Sequence, residues 1–462
     1  MGKIRILWIV NDKYVNNFIT VFNECKNSEK FEMFVMATDR LGYDFSPGIS
    51  CDEIYDYLKK NGIDCFKCRE NGEYFNLADI SPDYIFTTTP YDIYLPKPFR
   101  SDALVKLGKL CHVDYGAVLI RWINDYATLG ESDYYKNAQF IFHCDLREGD
   151  SIPANSVCIG NLKLDEYLFY GRKPDFSFYK KKNSYKIVWK PRWTMKEGDS
   201  TLYPYLEKFY GFLKKRENTE LVLLLHQLAE VNLEQKGYGD YFRENIKKLK
   251  TLPNFTVTDS SDFLDTVLGA DLLIADHTSL IAEFTITGKP IIYTTPDVPL
   301  SELGKKIIKN SYVANNFEEL EKIADGLIGG KPEGDPKSEQ RLADKESYFV
   351  SSKENLSVAK RILNFLKNDY SDLNSYKRYS KIKENSYKKD ISRLACEIED
   401  LKMQIREKNG IIEQDNLKAE NLESAKKELE SENKVLKERV LKIDGYISKI
   451  PKFLRAIFKK FT

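Results

Sequence analysis

Histidine is scarce in this 462-residue chain, and its four copies are His112, His143, His226 and His277. Three of them border short apolar runs of the kind that form buried strands. His226 directly follows the run 221–225, and His277 follows 272–275 and Asp276. His112 follows Lys109-Leu110-Cys111 and precedes Val113-Asp114-Tyr115-Gly116, which reads as a turn. In an open parallel sheet the ligand crevice lies beyond the carboxyl ends of the strands. These imidazoles are therefore placed for acid–base or phosphate chemistry.

The segment 270–284 is the most informative. A strand runs into Asp276, then His277, Thr278 and Ser279 open a helix that carries Glu283 and stops at Gly288. Free N–H groups and two hydroxyls at a helix start form a phosphate site, and Glu283 could accept from ribose hydroxyls. Plain N-capping by Asp276 or Thr278 would leave the same residues. After another strand comes Lys190-Pro191-Arg192-Trp193-Thr194. Arg192 could hold a pyrophosphate bidentately, although most arginines are surface cations.

Parallel strands must position these groups. Apolar runs at 4–10, 31–36, 84–87, 140–142, 185–189, 221–225, 272–275 and 291–294 alternate with longer helical patterns. Continuous apolar strands between helices mean parallel sheets covered on both faces. The expected fold is α/β: two doubly wound Rossmann-like domains facing each other across a cleft, the GT-B arrangement, followed by a C-terminal coiled coil. The polar stretch 171–184 separates residues 1–170 from 185–370 and reads as a linker.

Composition excludes several classes. Lys+Arg is 71 against Asp+Glu 70, so nothing pulls the chain toward nucleic acid. The eight cysteines lack the spacing of a disulfide scaffold. Cys65 and Cys68 form a lone C-x-x-C without the second pair of a structural zinc, so no metal is expected. The first apolar run is too short for a signal peptide, and no run approaches the roughly 18 residues of a spanning helix. The expected location is the cytoplasm.

From Ile391 a heptad pattern begins. Position a holds Ile391, Ile398, Ile405, Ile412, Ala419, Lys426, Asn433, Val440 and Ile447. Position d holds Leu394, Leu401, Lys408, Asp415, Leu422, Leu429, Leu436 and Ile443. Ile at a with Leu at d favours two parallel strands, and one buried Asn pins register. A coiled coil over 385–447 and a parallel homodimer are expected, with a bend near Lys408, Gly410 and Asp415. A solvated helix folding back on the core is the alternative. Residues 448–462 end the chain. Ile450, Phe453, Leu454, Ile457 and Phe461 share one helical face, with Lys449, Lys452, Arg455, Lys459 and Lys460 around it. That pattern suits an anionic membrane surface.

Four elements resemble a known family. Gly160-Asn161-Leu162-Lys163-Leu164-Asp165 is similar to its G-x-P-[RK]-x-D element, and Trp189 to Thr194 to its x-x-P-x-W-[RT] element. Leu225-His226-Gln227 is similar to its x-H-P. Asp271 to Glu283, followed by Gly288-Lys289-Pro290, is similar to its s-D-x-L-I-x-D-[YF]-S-S-x-x-x-[DE]. Over residues 80–365 the order and spacing resemble the CDP-glycerol glycerophosphotransferases, the family of teichoic-acid primases and polymerases. The resemblance implies a metal-independent GT-B enzyme without a cofactor. It would pass glycerol phosphate from CDP-glycerol to a glycan or lipid-linked hydroxyl at the inner membrane face. It implies that His226 contacts the pyrophosphate or protonates the leaving group. Arg192, Thr194, Asp276, His277, Thr278, Ser279 and Glu283 would bind the donor. The family's base is a His followed by Gly. Here His112 and Gly116 stand further apart, so His112 and Asp114 are rival bases; Gln227 and His277 also depart from the pattern. A nucleotide-sugar glycosyltransferase for capsule or cell-wall polysaccharide would need the same pyrophosphate site. A catalytically silent coiled-coil scaffold would need none of it.

Overall fold

The computed structural model describes the chain except residues 1, 44–46, 121–131, 146–152, 178, 182, 194–199, 227, 259–262, 330–334, 346–347, 349–354, 416–421 and 450–462, and the side chains of 410–415 and 422–425. The described chain forms two compact units, Met1–Asp372 and Leu373–Thr462.

The first unit holds two sheets. Strands β1 (Ile4–Val10), β2 (Phe31–Ala37), β3 (Phe66–Lys67), β6 (Tyr84–Thr87), β7 (Lys109–Val113), β8 (Phe140–His143) and β9 (Ser156–Cys158) form one, in the order β3-β2-β1-β6-β7-β8-β9. A small antiparallel hairpin, β4 (Arg69–Glu70) with β5 (Glu73–Tyr74), follows β3. The other sheet contains β10 (Tyr185–Lys190), β11 (Thr219–Leu224), β12 (Phe255–Thr258), β13 (Leu272–Ala275), β14 (Ile291–Tyr293) and β15 (Tyr312–Val313), in the order β12-β11-β10-β13-β14-β15. Every pairing within both sheets is parallel. In each, the order reverses beside the first strand, the switch point at which open α/β sheets bind ligands. The fold is GT-B.

The central strands are apolar because helices cover both faces. Trp8 stacks on Phe86 at 4.4 Å in the first core, and Trp189 meets Phe209 at 4.4 Å in the second. One expectation shifts. His112 lies inside β7, not beyond it, since β7 continues to Val113 and the turn begins at Asp114.

The chain crosses back at its end. Helix Val358–Tyr370, placed by sequence with the second domain, buries Val358, Ile362 and Leu366 in the first core. Asp165, the acid of the G-x-P-[RK]-x-D-like element, accepts from the N–H groups of Val358 (2.7 Å) and Ala359 (2.8 Å) at this helix's start. At the far end Asp369 accepts from Tyr84 Oη and Lys109 Nζ, both at 2.6 Å. A buried carboxylate persists only when partnered in this way.

The second unit is a helical hairpin. Helices Leu373–Asp415 and Leu422–Ser448 pack through Ile391, Ile398 and Leu401 against Ile443 and Ile447. Glu397 pairs with Arg439 and Lys408 with Glu432, so the helices run antiparallel. Within the chain, the heptad residues of the two helices meet each other. Residues 450–462 lie outside the described residues. No described helix is long and apolar enough to cross a membrane.

Candidate active site

The carboxyl ends of the two sheets face a common cavity of about 400 Å³. From the second domain it is lined by Lys190, Pro191, Arg192, Trp193, His226, His277, Thr278 and Ser279. The first domain supplies Tyr91, His112, Asp114, Tyr135 and the loop from Tyr115 to Ile120. Seven sequence-predicted residues therefore converge: His112, Asp114, Arg192, His226, His277, Thr278 and Ser279. Thr194 lies outside the described residues.

Two predicted donor contacts sit behind the wall. Asp276 is fully buried and accepts from Arg192 N (2.6 Å), Thr201 N (2.8 Å), Thr201 Oγ1 (2.8 Å) and Thr294 Oγ1 (2.6 Å). Four bonds leave it no capacity for a donor; it fixes the loop that presents Arg192. Glu283 is also fully buried, and its Oε1 meets Lys163 Nζ of the first domain at 3.1 Å. Its Oε2 has no hydrogen-bond partner among the described residues.

The helix after Ser279 is shorter than its sequence suggests: one turn, Leu280–Phe284, then a 3₁₀ turn, Thr285–Thr287, ended by Gly288 at φ +67°. A single turn has little macrodipole. What this corner offers is the hydroxyls of Thr278 and Ser279 and the ring of His277.

The electrostatics of the donor wall favour an anion. Burial, then the Lys190 and Arg192 charges, push His226 down to about 3. Burial and Arg192 hold His277 at about 4. Both rings are neutral at pH 7. His226 Nδ1 accepts from Leu228 N–H at 3.1 Å, so its proton sits on Nε2, and the ring stacks on Trp193 at 5.3 Å. Lys190 was not among the predicted site residues. Burial and neighbouring Arg192 depress it to about 7, against the attraction of Asp276, and its Nζ bonds Leu224 O at 3.3 Å. A buried amine beside a guanidinium is relieved by an incoming anion. A second groove of about 550 Å³, lined by Arg243, Lys247 and Lys250, adjoins at His226. Seven of the sequence-predicted residues line the first cavity, and His226 alone of them lines the second.

The opposite wall is aromatic and acidic. Asp114 Oδ2 lies 3.0 Å from His143 Nδ1 and accepts from Cys144 N–H at 3.3 Å. His143 Nε2 in turn meets Ser156 Oγ at 2.9 Å. His112 is buried among Tyr115, Tyr134 and Tyr135, and burial pushes it down to about 4. Its Nδ1 has no hydrogen-bond partner among the described residues. The two walls touch at Gly116, where a Cβ would come within 2.8 Å of Ser279 Oγ. Only glycine permits that approach.

The fold and the cavity define a GT-B protein with an anion-receptive wall opposite a carboxylate. Known proteins agree at that level. In sequence, the chain is 28% identical over 95 residues to the teichoic acid glycerol-phosphate primase of Bacillus subtilis (strain 168), covering 21% of this chain. The chain spans 22% of the length of that curated relative. No family model matches. In structure, it resembles the UDP-GlcNAc 2-epimerase of Neisseria meningitidis, solved with UDP-GlcNAc. The TM-score is 0.52 at 16% identity, covering 79% of this chain and 100% of the other. It also resembles a variant of the wall teichoic acid polymerase TagF, with TM-score 0.50 at 13% identity, covering 79% and 89%. At these identities the structural likeness speaks for the fold. The chain is thus similar in sequence to a teichoic-acid primase and shares its fold with a teichoic-acid polymerase.

Proposed function

We propose that the protein is a transferase that moves glycerol phosphate, or a related polyol phosphate, from a CDP-linked donor to a hydroxyl of a glycan or lipid-linked acceptor. The observation that carries this reading is the cavity in which Lys190, Arg192 and His226 face Asp114 across the two sheet edges.

The acceptor hydroxyl enters from the first domain, and Asp114 takes its proton as the O–P bond forms. The phosphorus carrying the polyol changes partners, and the bond to the departing CMP breaks. Arg192, the Nε2–H of His226 and the hydroxyls of Thr278 and Ser279 stabilise charge on the phosphate oxygens. Lys190 adds a further donor once an anion is present. His143 is a positioning residue: it orients the Asp114 carboxylate and is itself held by Ser156. His112, with its free Nδ1, is the rival base.

A nucleotide-sugar glycosyltransferase is the second reading. It draws support from Tyr91, Tyr115 and Tyr135 on the acceptor wall, flat apolar surfaces suited to a sugar ring. The basic, aromatic residues 449–461 support attachment to the inner membrane face. Calorimetric titration with CDP-glycerol, CDP, UDP and GDP, with Arg192→Ala as control, tests the proposal. Cytidine-selective binding that the variant loses is expected. Preference for UDP or GDP would transfer the assignment to a glycosyltransferase. Absence of any nucleotide binding would leave a scaffold.

A further inference from the structure

The first domain gathers a second set of chemically soft groups. The loop after β2 carries Thr38 and Asp39; Cys51 opens helix Cys51–Lys60; Cys68 lies between β3 and β4. These three separate segments bring Asp39, Cys51 and Cys68 together, with one ligand atom from each within 4.8 Å of the others. Cys51 is 1% exposed and Cys68 is fully buried. From these positions we infer that Asp39, Cys51 and Cys68 bind one divalent ion of the zinc class, as a site independent of the transferase reaction.

The geometry is close to what such an ion needs. Tetrahedral zinc, with bonds of about 2.0–2.3 Å, keeps its donors about 3.3–3.8 Å apart. Asp39 Oδ2 lies 3.9 Å from Cys68 Sγ. Asp39 Oδ1 is already oriented by Cys51 N–H (2.9 Å) and Arg69 Nη2 (3.1 Å), which leaves Oδ2 for the ion. Cys68 N–H is fixed on Ala37 O at 2.8 Å. The Asp39 carboxylate is thus oriented, and the backbone of Cys51 and Cys68 anchored, before any ion arrives.

The charge also balances. Two thiolates, one carboxylate and a divalent ion sum to −1, and Arg69, which contacts Asp39 and Cys51, restores neutrality. An ion bound by Cys51 and Cys68 displaces their thiol protons. A groove of about 1030 Å³ lined by Cys51, Arg69 and Tyr55 leads to the cluster. Cys65, the other half of the C-x-x-C, lines the same groove but is not in the cluster.

Cobalt(II) titration of the reduced, metal-stripped full-length chain tests this through the thiolate-to-cobalt charge-transfer band. One ion per chain is expected, displaced by equimolar zinc. Cys51→Ala and Cys68→Ala should abolish the band, Cys65→Ala should retain it, and Asp39→Asn should weaken binding by about 10-fold or more. Zinc should also raise the melting temperature of the unmutated chain, which requires no variant to fold. Absence of a band and of a zinc-dependent melting shift in the unmutated chain overturns the site. So does a band that survives Cys51→Ala or disappears in Cys65→Ala.

Discussion

The two walls of the cavity are built on opposite principles. The donor wall is a set of strand ends, with Lys190 closing β10, His226 just past β11 and His277 past β13. Its polar groups are held by a buried carboxylate, Asp276, that never reaches the cavity. The acceptor wall is the loop after β7 together with Tyr91 and Tyr135, and Asp114, the carboxylate among its described residues, is held by a buried histidine. One wall offers positive charge and fixed N–H and O–H donors; the other offers a proton acceptor and flat hydrophobic surface. On the proposed reading, binding and chemistry fall to different halves of the chain.

That division can be broken experimentally. The largest effect should come from Asp114→Asn, which should lower the transfer rate by about 10²–10⁴-fold and leave nucleotide affinity nearly unchanged. A loss of affinity instead of rate, seen in parallel kinetics and calorimetry, would move Asp114 to the donor side. Arg192→Ala should do the converse, weakening nucleotide binding by about 1.5–3 kcal/mol, the worth of a hydrogen bond to a charged group. Asp165→Ala touches neither wall. It removes the cap of helix Val358–Tyr370 and should cost about 1–2 kcal/mol in denaturant unfolding, with donor affinity preserved.

Lys190 sharpens the comparison through pH. Its amine is depressed to about 7 in the folded chain and returns toward 10.5 when unfolded. Between those values the unfolded state binds more protons, so this group makes stability rise with pH from about 7 to 10.5. A bound diphosphate reverses the depression. Donor binding at pH 8 should take up a proton, and affinity should fall as pH rises above 7. Calorimetry in two buffers of different ionisation enthalpy measures this uptake, and Lys190→Met should remove it. Uptake that persists in the variant would assign the proton elsewhere. The smallest expected change concerns the hairpin. With its seam closed within one chain, light scattering should give monomer masses for the full chain and for residues 1–372 alike. A dimer that truncation dissolves would restore the pairing of two chains.

How much of this was legible depended on which groups obey a simple period. Strands β1, β6 and β13 follow from mostly apolar runs, Arg5 being their charged exception, and their bounds match the sequence reading. Strand β7 runs past the Lys109-Leu110-Cys111 run to Val113 because its polar residues are buried, Lys109 through Asp369 and His112 among tyrosines. Strands β3 and β15 have two residues each, too few to carry a period. Within the cavity, His226, His277 and Arg192 all follow strand ends, which is the signal by which the sequence singles them out. A strand end does not tell inward from outward, and Asp276 points away from the cavity into a fully hydrogen-bonded buried site. His143 gave no signal, because its role depends on β8 lying beside β7. Heptads reveal a seam but not whether its partner is the same chain.

Helix Val358–Tyr370 has a consequence for motion. The chain leaves the first domain after Phe169 and returns to it at Val358, so two covalent connections join the halves. A single tether would let the halves reorient freely; a double one restricts them to a swing about one axis. Fewer open arrangements exist to be given up when the cavity assembles, so each productive closure sacrifices less orientational entropy.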